Sequence, residues 1–334
     1  MLQVGVIGYG YWGPNIVRNF ESVEGTSVLS VCDTNPDMLK RAKKAFPNIA
    51  LTSDASEIIS SHDINVVAVV TPVSTHFDLA KKALLNGKHV FVEKPFTATV
   101  AEAEELIEIA ERKQLKIMVD HTFIFTSAVQ KIKQCIEDGI LGNLYYFDSM
   151  RVNLGLFQHD VNVVWDLAPH DLSIMNYLIK ERPQGIVATG ESHFNNGLED
   201  VAYITVYFSN NIIAHLNVNW LSPVKIRTTL IGGQKKMLVW NDLEPDNRIK
   251  IYDKGVEVGT RNGIFNLLVS YRSGDMWAPN LEPVEALRLE VECFVDCILN
   301  GTVPLNDGIA GLKVVQMLEA ANKSLKNKGE YVPM

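Results

Sequence analysis

Four short constellations in this chain carry groups able to bind a nucleotide or move a proton. The first is Gly8-Tyr9-Gly10-Tyr11-Trp12-Gly13, following an apolar run and opening a helical pattern of Ile16, Val17 and Phe20. At this spacing Gly8 permits a tight turn, Gly10 lets backbone N–H groups approach a pyrophosphate, and Gly13 lets helix and strand pack closely. The helix N-terminus behind them favours negative charge. Asp33 follows twenty residues after Gly13, at the end of the next apolar run. A carboxylate there accepts hydrogen bonds from the ribose hydroxyls and repels a 2′-phosphate. Thr34 and Asn35 supply no arginine to receive that phosphate. The expected dinucleotide is therefore NAD(H), with Gly8 to Gly13 and Asp33 among the residues that hold it.

The second constellation is Thr71-Pro72-Val73-Ser74-Thr75-His76, after the apolar run ending at Val70. Loops at the carboxyl ends of parallel strands are where doubly wound folds bind ligands. Thr71, Pro72 and His76 are expected to contact cofactor and Ser74 to cap a helix, although the proline and serine equally suit a bare turn. The third is Glu93-Lys94-Pro95, closing the next apolar run. Glu93 and Lys94 fall at the cofactor crevice, where an ammonium hydrogen-bonds a substrate oxygen and stabilises developing negative charge. Taken alone, this tripeptide is also common on solvent-exposed surfaces.

The fourth is Trp165-Asp166-Leu167-Ala168-Pro169-His170-Asp171. On a helix, Asp166 and His170 share a face one turn apart. The carboxylate orients the imidazole, and the imidazole titrates near neutral pH. Pro169 is expected to distort an established helix, and Asp171 and Ser173 to point away toward capping or solvent. Arg151 and Asn153, late in a long strand, and Trp165 by stacking are expected to reach polar substrate groups; packing is the equal reading for these three. His121 lies near the crevice or is buried, and His159 carries no assigned role. The eight histidines show no paired ligand spacing, so no metal site is expected.

The elements that must position these groups alternate over the first 120 residues. Residues 2–7, 28–32, 66–70, 89–92 and 116–119 read as strands apolar on both faces, as strands between helical layers should be. Helix signals intervene: Asn35-Pro36, Asp54 and Thr99 each open a helix, and Gly87 closes one. That alternation implies a parallel sheet with right-handed crossovers. Past residue 120 the pattern changes. A helix over 125–137 ends at Gly139, then β-like stretches cover 144–153, 185–193, 202–220, 227–240 and 248–252, several separated by turn signals. A helix over 163–179 is inserted early, and helices over 282–299 and 308–325 close the chain. The class is α/β plus α+β: a doubly wound Rossmann domain over 1–120 and a domain over 121–334 built on a large, mostly antiparallel sheet.

Composition bounds the rest. The chain has 334 residues, 47% hydrophobic and 21% charged, which excludes disorder and allows substantial cores without staples. The net charge, 31 − 39 = −8, argues against a broad basic footprint for nucleic acid. Four cysteines, none in a Cys-x-x-Cys pair, make no disulfide framework; Cys293 and Cys297 read as helix packing. The first residues lack a signal-peptide pattern, and no apolar run approaches the roughly 18 residues of a membrane helix. A soluble, cytoplasmic setting is expected.

Together, the glycine turn, Asp33, Glu93-Lys94-Pro95 and Asp166-x-x-x-His170 resemble, over the whole chain, the Gfo/Idh/MocA oxidoreductases. The family is named for glucose–fructose oxidoreductase and inositol dehydrogenase. The resemblance implies that Lys94, Asp166 and His170 form the catalytic set. It also implies that the second sheet is open-faced and commonly makes the oligomer contact, as dimer or tetramer, and that the reaction is reversible oxidation of a sugar or cyclitol hydroxyl. Where many members carry a His-Asn-x-Arg-Phe-like run, this chain reads His121-Thr122-Phe123-Ile124-Phe125. That run, with Trp165 to His170 and the following Leu172-Ser173-Ile174, is similar to a branch that oxidises nucleotide-linked sugars at C3. The expectation is an NAD-dependent oxidation of a UDP-sugar. Two other readings stay open: a free monosaccharide or inositol dehydrogenase, and a non-catalytic NAD-binding sugar sensor, against which the filled catalytic set speaks.

Overall fold

The apolar run Leu2–Ile7 becomes β1, buried from Val4 onward because it lies between helical layers. After it come α1 (Gly13–Ser22), β2 (Thr26–Cys32), α2 (Pro36–Ala45), β3 (Ala50–Thr52), α3 (Ala55–Ser60) and β4 (Val66–Val69). Then α4 (His76–Leu85), β5 (His89–Glu93), α5 (Val100–Lys113) and β6 (Ile117–Asp120) complete the alternation. This computed structural model describes residues 1–155, 160–194, 197–260 and 267–334. The chain forms two units, Met1–Thr126 with Val284–Glu319, and Ser127–Pro283 with Ala320–Met334.

In the first unit the six strands are parallel, in the order β3-β2-β1-β4-β5-β6. The order reverses beside β1, so the chain leaves β1 and β4 in opposite senses and opens a crevice at their carboxyl ends. The three-residue β3 was too short to announce itself. Local sequence sets the helix starts: the Asn35 side chain accepts from the Asp37 N–H at 2.9 Å, and Thr99 and Glu102 form a reciprocal capping box. Ser74, the expected cap, sits inside a 3-10 turn, and Thr75 takes the N-cap position of α4 without a side-chain bond.

Two returning segments complete this unit or extend from it: α8 (Ala286–Asn300) and α9 (Gly308–Lys326). A simple division at residue 120 assigns both to the second domain. Side-chain bonding shows why Val284–Glu319 belongs with the first. Glu285 accepts from Arg18 at 2.5 and 2.9 Å and from Asn19 at 3.1 Å, both on α1. These donors, Arg18 first, hold its carboxyl down to about 2.

In the second unit, α6 (Ser127–Glu137) leads into β7 (Leu144–Leu154) and α7 (Val163–Leu178). After these come β8 (Pro183–Glu191), β9 (Val201–Phe208), β10 (Ile213–Asn219), β11 (Leu221–Gly233), β12 (Met237–Asn241), β13 (Ile249–Thr260), β14 (Leu267–Trp277) and β15 (Val332–Pro333). They make one nine-stranded sheet, ordered β14-β13-β12-β11-β7-β10-β9-β8-β15. Its pairs are antiparallel except β7 with β10, which run parallel. Burial alternates along β9, where Ala202, Ile204, Val206 and Phe208 are buried while Tyr203 and Tyr207 are exposed. One face is therefore core beneath α7, and the other is open, presenting Met150, Tyr203, Tyr207, Ile213 and Leu230.

The capping box gives a direct check on the first unit. Thr99→Ala should cost about 1 kcal/mol, read as a lower urea midpoint with an unchanged slope.

Candidate active site

The glycine turn is built by close approach. Gly8 has a φ of +102°, and a Cβ there would lie 2.2 Å from the Val70 carbonyl oxygen. A Cβ on Gly13 would lie 2.6 Å from the Gly8 carbonyl. At Gly10 a Cβ would meet nothing within 4 Å, so this position faces open space at the start of α1. No acidic side chain occupies the first turn of that helix, and its N-terminal N–H groups suit an anion. The turn thus fits a dinucleotide pyrophosphate. Asp33 is anchored to the turn: its Oδ2 accepts from the Tyr9 N–H at 2.7 Å and its Oδ1 from the Asn35 N–H at 2.8 Å. Each carboxylate oxygen keeps a second lone pair. Tyr11 is exposed. The Tyr9 side chain is buried, so its backbone carries its part, and the Trp12 indole N–H donates to Asp120 at 2.8 Å.

The ends of β4 and β5 follow. The Thr75 hydroxyl donates to the Pro72 carbonyl at 2.8 Å and lies 2.7 Å from the Thr71 hydroxyl, closing the turn on itself. His76, expected at the cofactor, is buried instead between two carbonyls, with Nδ1 2.8 Å from Pro95 O and Nε2 2.8 Å from Thr71 O. It is a strut joining the loop after β4 to the turn after β5. Lys94 follows β5 directly and is half-buried, as is Glu93; the Lys94–Pro95 bond is cis. His121 is fully buried, and burial with a smaller push from Lys94 lowers its ring to about 3, so it is neutral.

In the second unit, Asn162 caps α7 by accepting from the Trp165 N–H at 3.1 Å. Among the first eight residues of the helix only Asp166, Leu167 and His170 escape burial. The helix continues through Pro169 without a break. Asp166 Oδ2 accepts from the Trp220 indole N–H at 3.1 Å. Trp220 is buried just past β10, a positioning residue that no sequence motif announced.

Other expected contacts fall elsewhere. Arg151 is 5% exposed, and its guanidinium forks onto Asp171 at 2.7 and 3.1 Å. Its charge serves the seat of α7, and Asp171 is buried, neither capping the helix nor turned to solvent as expected. Ser173 is buried too, donating to the His170 carbonyl at 2.8 Å. Trp165 is 6% exposed, a core residue more than a stacking platform, whereas Asn153 remains half-exposed. His159 lies outside the described residues. Among the described residues no three His, Cys, Asp or Glu side chains gather as a metal site.

Residues 2–121 match a family model described as "Oxidoreductase family, NAD-binding Rossmann fold", and residues 129–239 match the "GFO/IDH/MocA C-terminal domain". The chain is 24% identical to a D-apiose dehydrogenase of Paraburkholderia graminis over 96% of this chain and 87% of that one. It is 27% identical to a UDP-N-acetylglucosamine 3-dehydrogenase of Acidithiobacillus ferrooxidans over 94% of each. A solved structure of the latter superposes with a TM-score of 0.81 at 24% identity over 98% of each chain. An Agrobacterium radiobacter oxidoreductase in complex with NAD+, L-tartaric acid and magnesium superposes with a TM-score of 0.83 at 19% identity, over 99% of this chain and 98% of that one.

The two glycines separate folding from binding. Gly10→Val should leave the melting temperature of the NAD-free protein unchanged and weaken NAD at least tenfold, whereas Gly8→Ala should lower the melting temperature itself. Thermal unfolding with and without NAD reads both. Trp220→Phe removes the hydrogen bond to Asp166, worth roughly 1 kcal/mol, so turnover should fall about fivefold with NAD affinity kept.

Proposed function

The chain belongs to the Gfo/Idh/MocA family of NAD-binding oxidoreductases, and we propose that it oxidises a secondary hydroxyl of a nucleotide-linked sugar, a UDP-sugar, at C3. The observation that carries this reading is the helix face of Asp166 and His170, held by the Asn162 cap and the Trp220 indole. Lys94, at the end of β5, is assigned to the same reaction. Support for the nucleotide-linked sugar comes from the Acidithiobacillus relative, alike over 94% of each chain. The likeness to a D-apiose dehydrogenase favours a second reading, a free sugar.

Bound NAD supplies a nicotinamide that accepts the hydride. The residues do the rest. Asp166, fixed by Trp220, steers the imidazole of His170 and balances the positive charge it gains. Nδ1 of His170 is buried, so Nε2 is assigned to take the hydroxyl proton. As that proton leaves oxygen and the carbon-bound hydrogen leaves with its electron pair, a carbonyl forms. Lys94 donates a hydrogen bond to the same oxygen and stabilises its transient negative charge. We assign the open sheet face, with Tyr203, Tyr207 and Ile213 exposed, to contact with a second copy. Among the described residues no helix is long and apolar enough to cross a membrane. The four cysteines are free thiols, and the cytoplasm is the compartment proposed because it keeps them so.

Purified protein mixed with NAD and a panel of UDP-sugars, free sugars and inositols should form NADH fastest with a UDP-sugar. Faster turnover of a free sugar selects the second reading, and tight NAD binding without turnover on any member selects a sensor. Lys94→Ala and His170→Ala should each lose turnover by about 10²–10⁴-fold while NAD affinity stays near that of the parent. Near-parental turnover in both variants refutes the catalytic assignment.

A further inference from the structure

Behind the glycine turn, within the first unit, two carboxyl groups are sealed away from water. Asp120 ends β6 and is 2% exposed; Glu290, on α8, is 0% exposed. Asp120 accepts from the Trp12 indole N–H at 2.8 Å through Oδ2, and from the Thr122 hydroxyl through Oδ1. Glu290 Oε1 accepts from the Asn306 side-chain N–H at 3.0 Å. Asn306 is itself buried, held by the Val119 N–H to its carbonyl at 2.8 Å and donating to the His121 carbonyl at 3.3 Å. Glu290 Oε2 is buried with no N–H or O–H donor among the described residues. Thr122 lies near both carboxyls, but its one hydroxyl proton goes to Asp120.

Among the described residues no ion pair involves Asp120 or Glu290. The groups facing them are Trp12 of the glycine turn, Thr122 and the neutral His121 after β6, Asn306 before α9, and each other, at side-chain hydrogen-bonding range. Lys94 acts on His121. Two buried carboxylates without a cation are costly, and such groups keep a proton instead. A proton on one carboxyl is also the donor that the other lacks. Burial raises both, and the Asp120 charge raises Glu290 further. The sign follows: the folded chain binds more protons here than the unfolded chain, so folding loses stability as pH rises above the ordinary carboxyl range.

We propose that Asp120 and Glu290 share one proton at neutral pH and act as positioning residues, holding the Trp12 indole and with it the glycine turn in the shape that receives the dinucleotide. The proposal rests on NAD binding at that turn and not on the choice of sugar, so a failed sugar panel leaves it standing. Trp12 takes the N-cap position of α1, so moving its side chain moves the N–H groups that face the pyrophosphate. Loss of the shared proton sets two negative charges side by side, and the strand end or α8 must shift to separate them.

The experiment is NADH binding to the full-length protein, followed by fluorescence from pH 6.5 to 9.5. The parent should weaken at least tenfold across the alkaline half. Glu290→Gln, whose amide donates in place of the carboxyl proton, should bind as the parent does at neutral pH and lose that alkaline weakening. Glu290→Ala and Trp12→Phe should bind about tenfold more weakly at every pH. A protonated-carboxyl infrared band in the parent should vanish in Glu290→Gln. A flat pH profile in the parent overturns the proposal without any variant. So does an alkaline weakening that persists in Glu290→Gln, a Glu290→Gln protein as weak as Glu290→Ala, or a Trp12→Phe protein that binds normally.

Discussion

No side chain fits between Gly8 and the carbonyl of Val70, and the nucleotide unit is arranged around that exclusion. The carbonyl belongs to the residue after β4, and β4 is hydrogen-bonded to β1. The chain therefore turns out of β1 directly beneath the backbone of its neighbour. Because strand order reverses here, the loops after β1 and β4 part and leave the space that Gly10 faces. Asp33 fixes the far wall by gripping the Tyr9 amide, and His76 ties the β4 loop to the turn beyond β5. Each grip is a hydrogen bond to backbone, so side chains here set the path of the chain and leave the backbone to meet the ligand.

The second unit solves a different problem: holding one helix face at a fixed height over a sheet. Arg151 and Asp171 are both nearly devoid of solvent contact, and their forked pairing locks the helix to β7. Such a pair adds little net stability against an apolar substitute, because desolvating two charges offsets most of their attraction. Its value is geometric, since only one sliding position of α7 satisfies both oxygens. Trp220 and the Asn162 cap act in the first turn of the same helix. The charges that looked available to a ligand from the sequence are thus partly consumed in presenting those that are.

Much of the alternating fold was legible because buried strands and amphipathic helices have different periods, and the turn residues between them are distinctive. The shape of the glycine turn was legible because it depends on close backbone approach that only glycine permits at Gly8 and Gly13. What sequence periodicity could not reveal was partnership across long separations. Arg151 and Trp165 read equally as contacts or core until Asp171 and the helix packing resolved their surroundings. Trp220 gave no signal, being one more aromatic at a strand end. Glu290 did leave one: it falls on the apolar stripe of α8 with Leu287, Val291 and Phe294, where an acid is out of place without a partner. Its partner, 170 positions earlier in the chain, could be found only in three dimensions.

That separation bears on how the molecule comes into being. The first unit is assembled from Met1–Thr126 and the distant Val284–Glu319, with the whole of β7 through β14 spliced between them. A ribosome that has released residue 126 has delivered every strand of the parallel sheet, yet α1 still lacks the helix that supports it. The floor under Trp12 is laid only when residues 290 and 306 emerge. Synthesis therefore finishes the nucleotide cradle last, although its signature was among the first residues made, and a chain stalled before that point has the letters of the site without its footing.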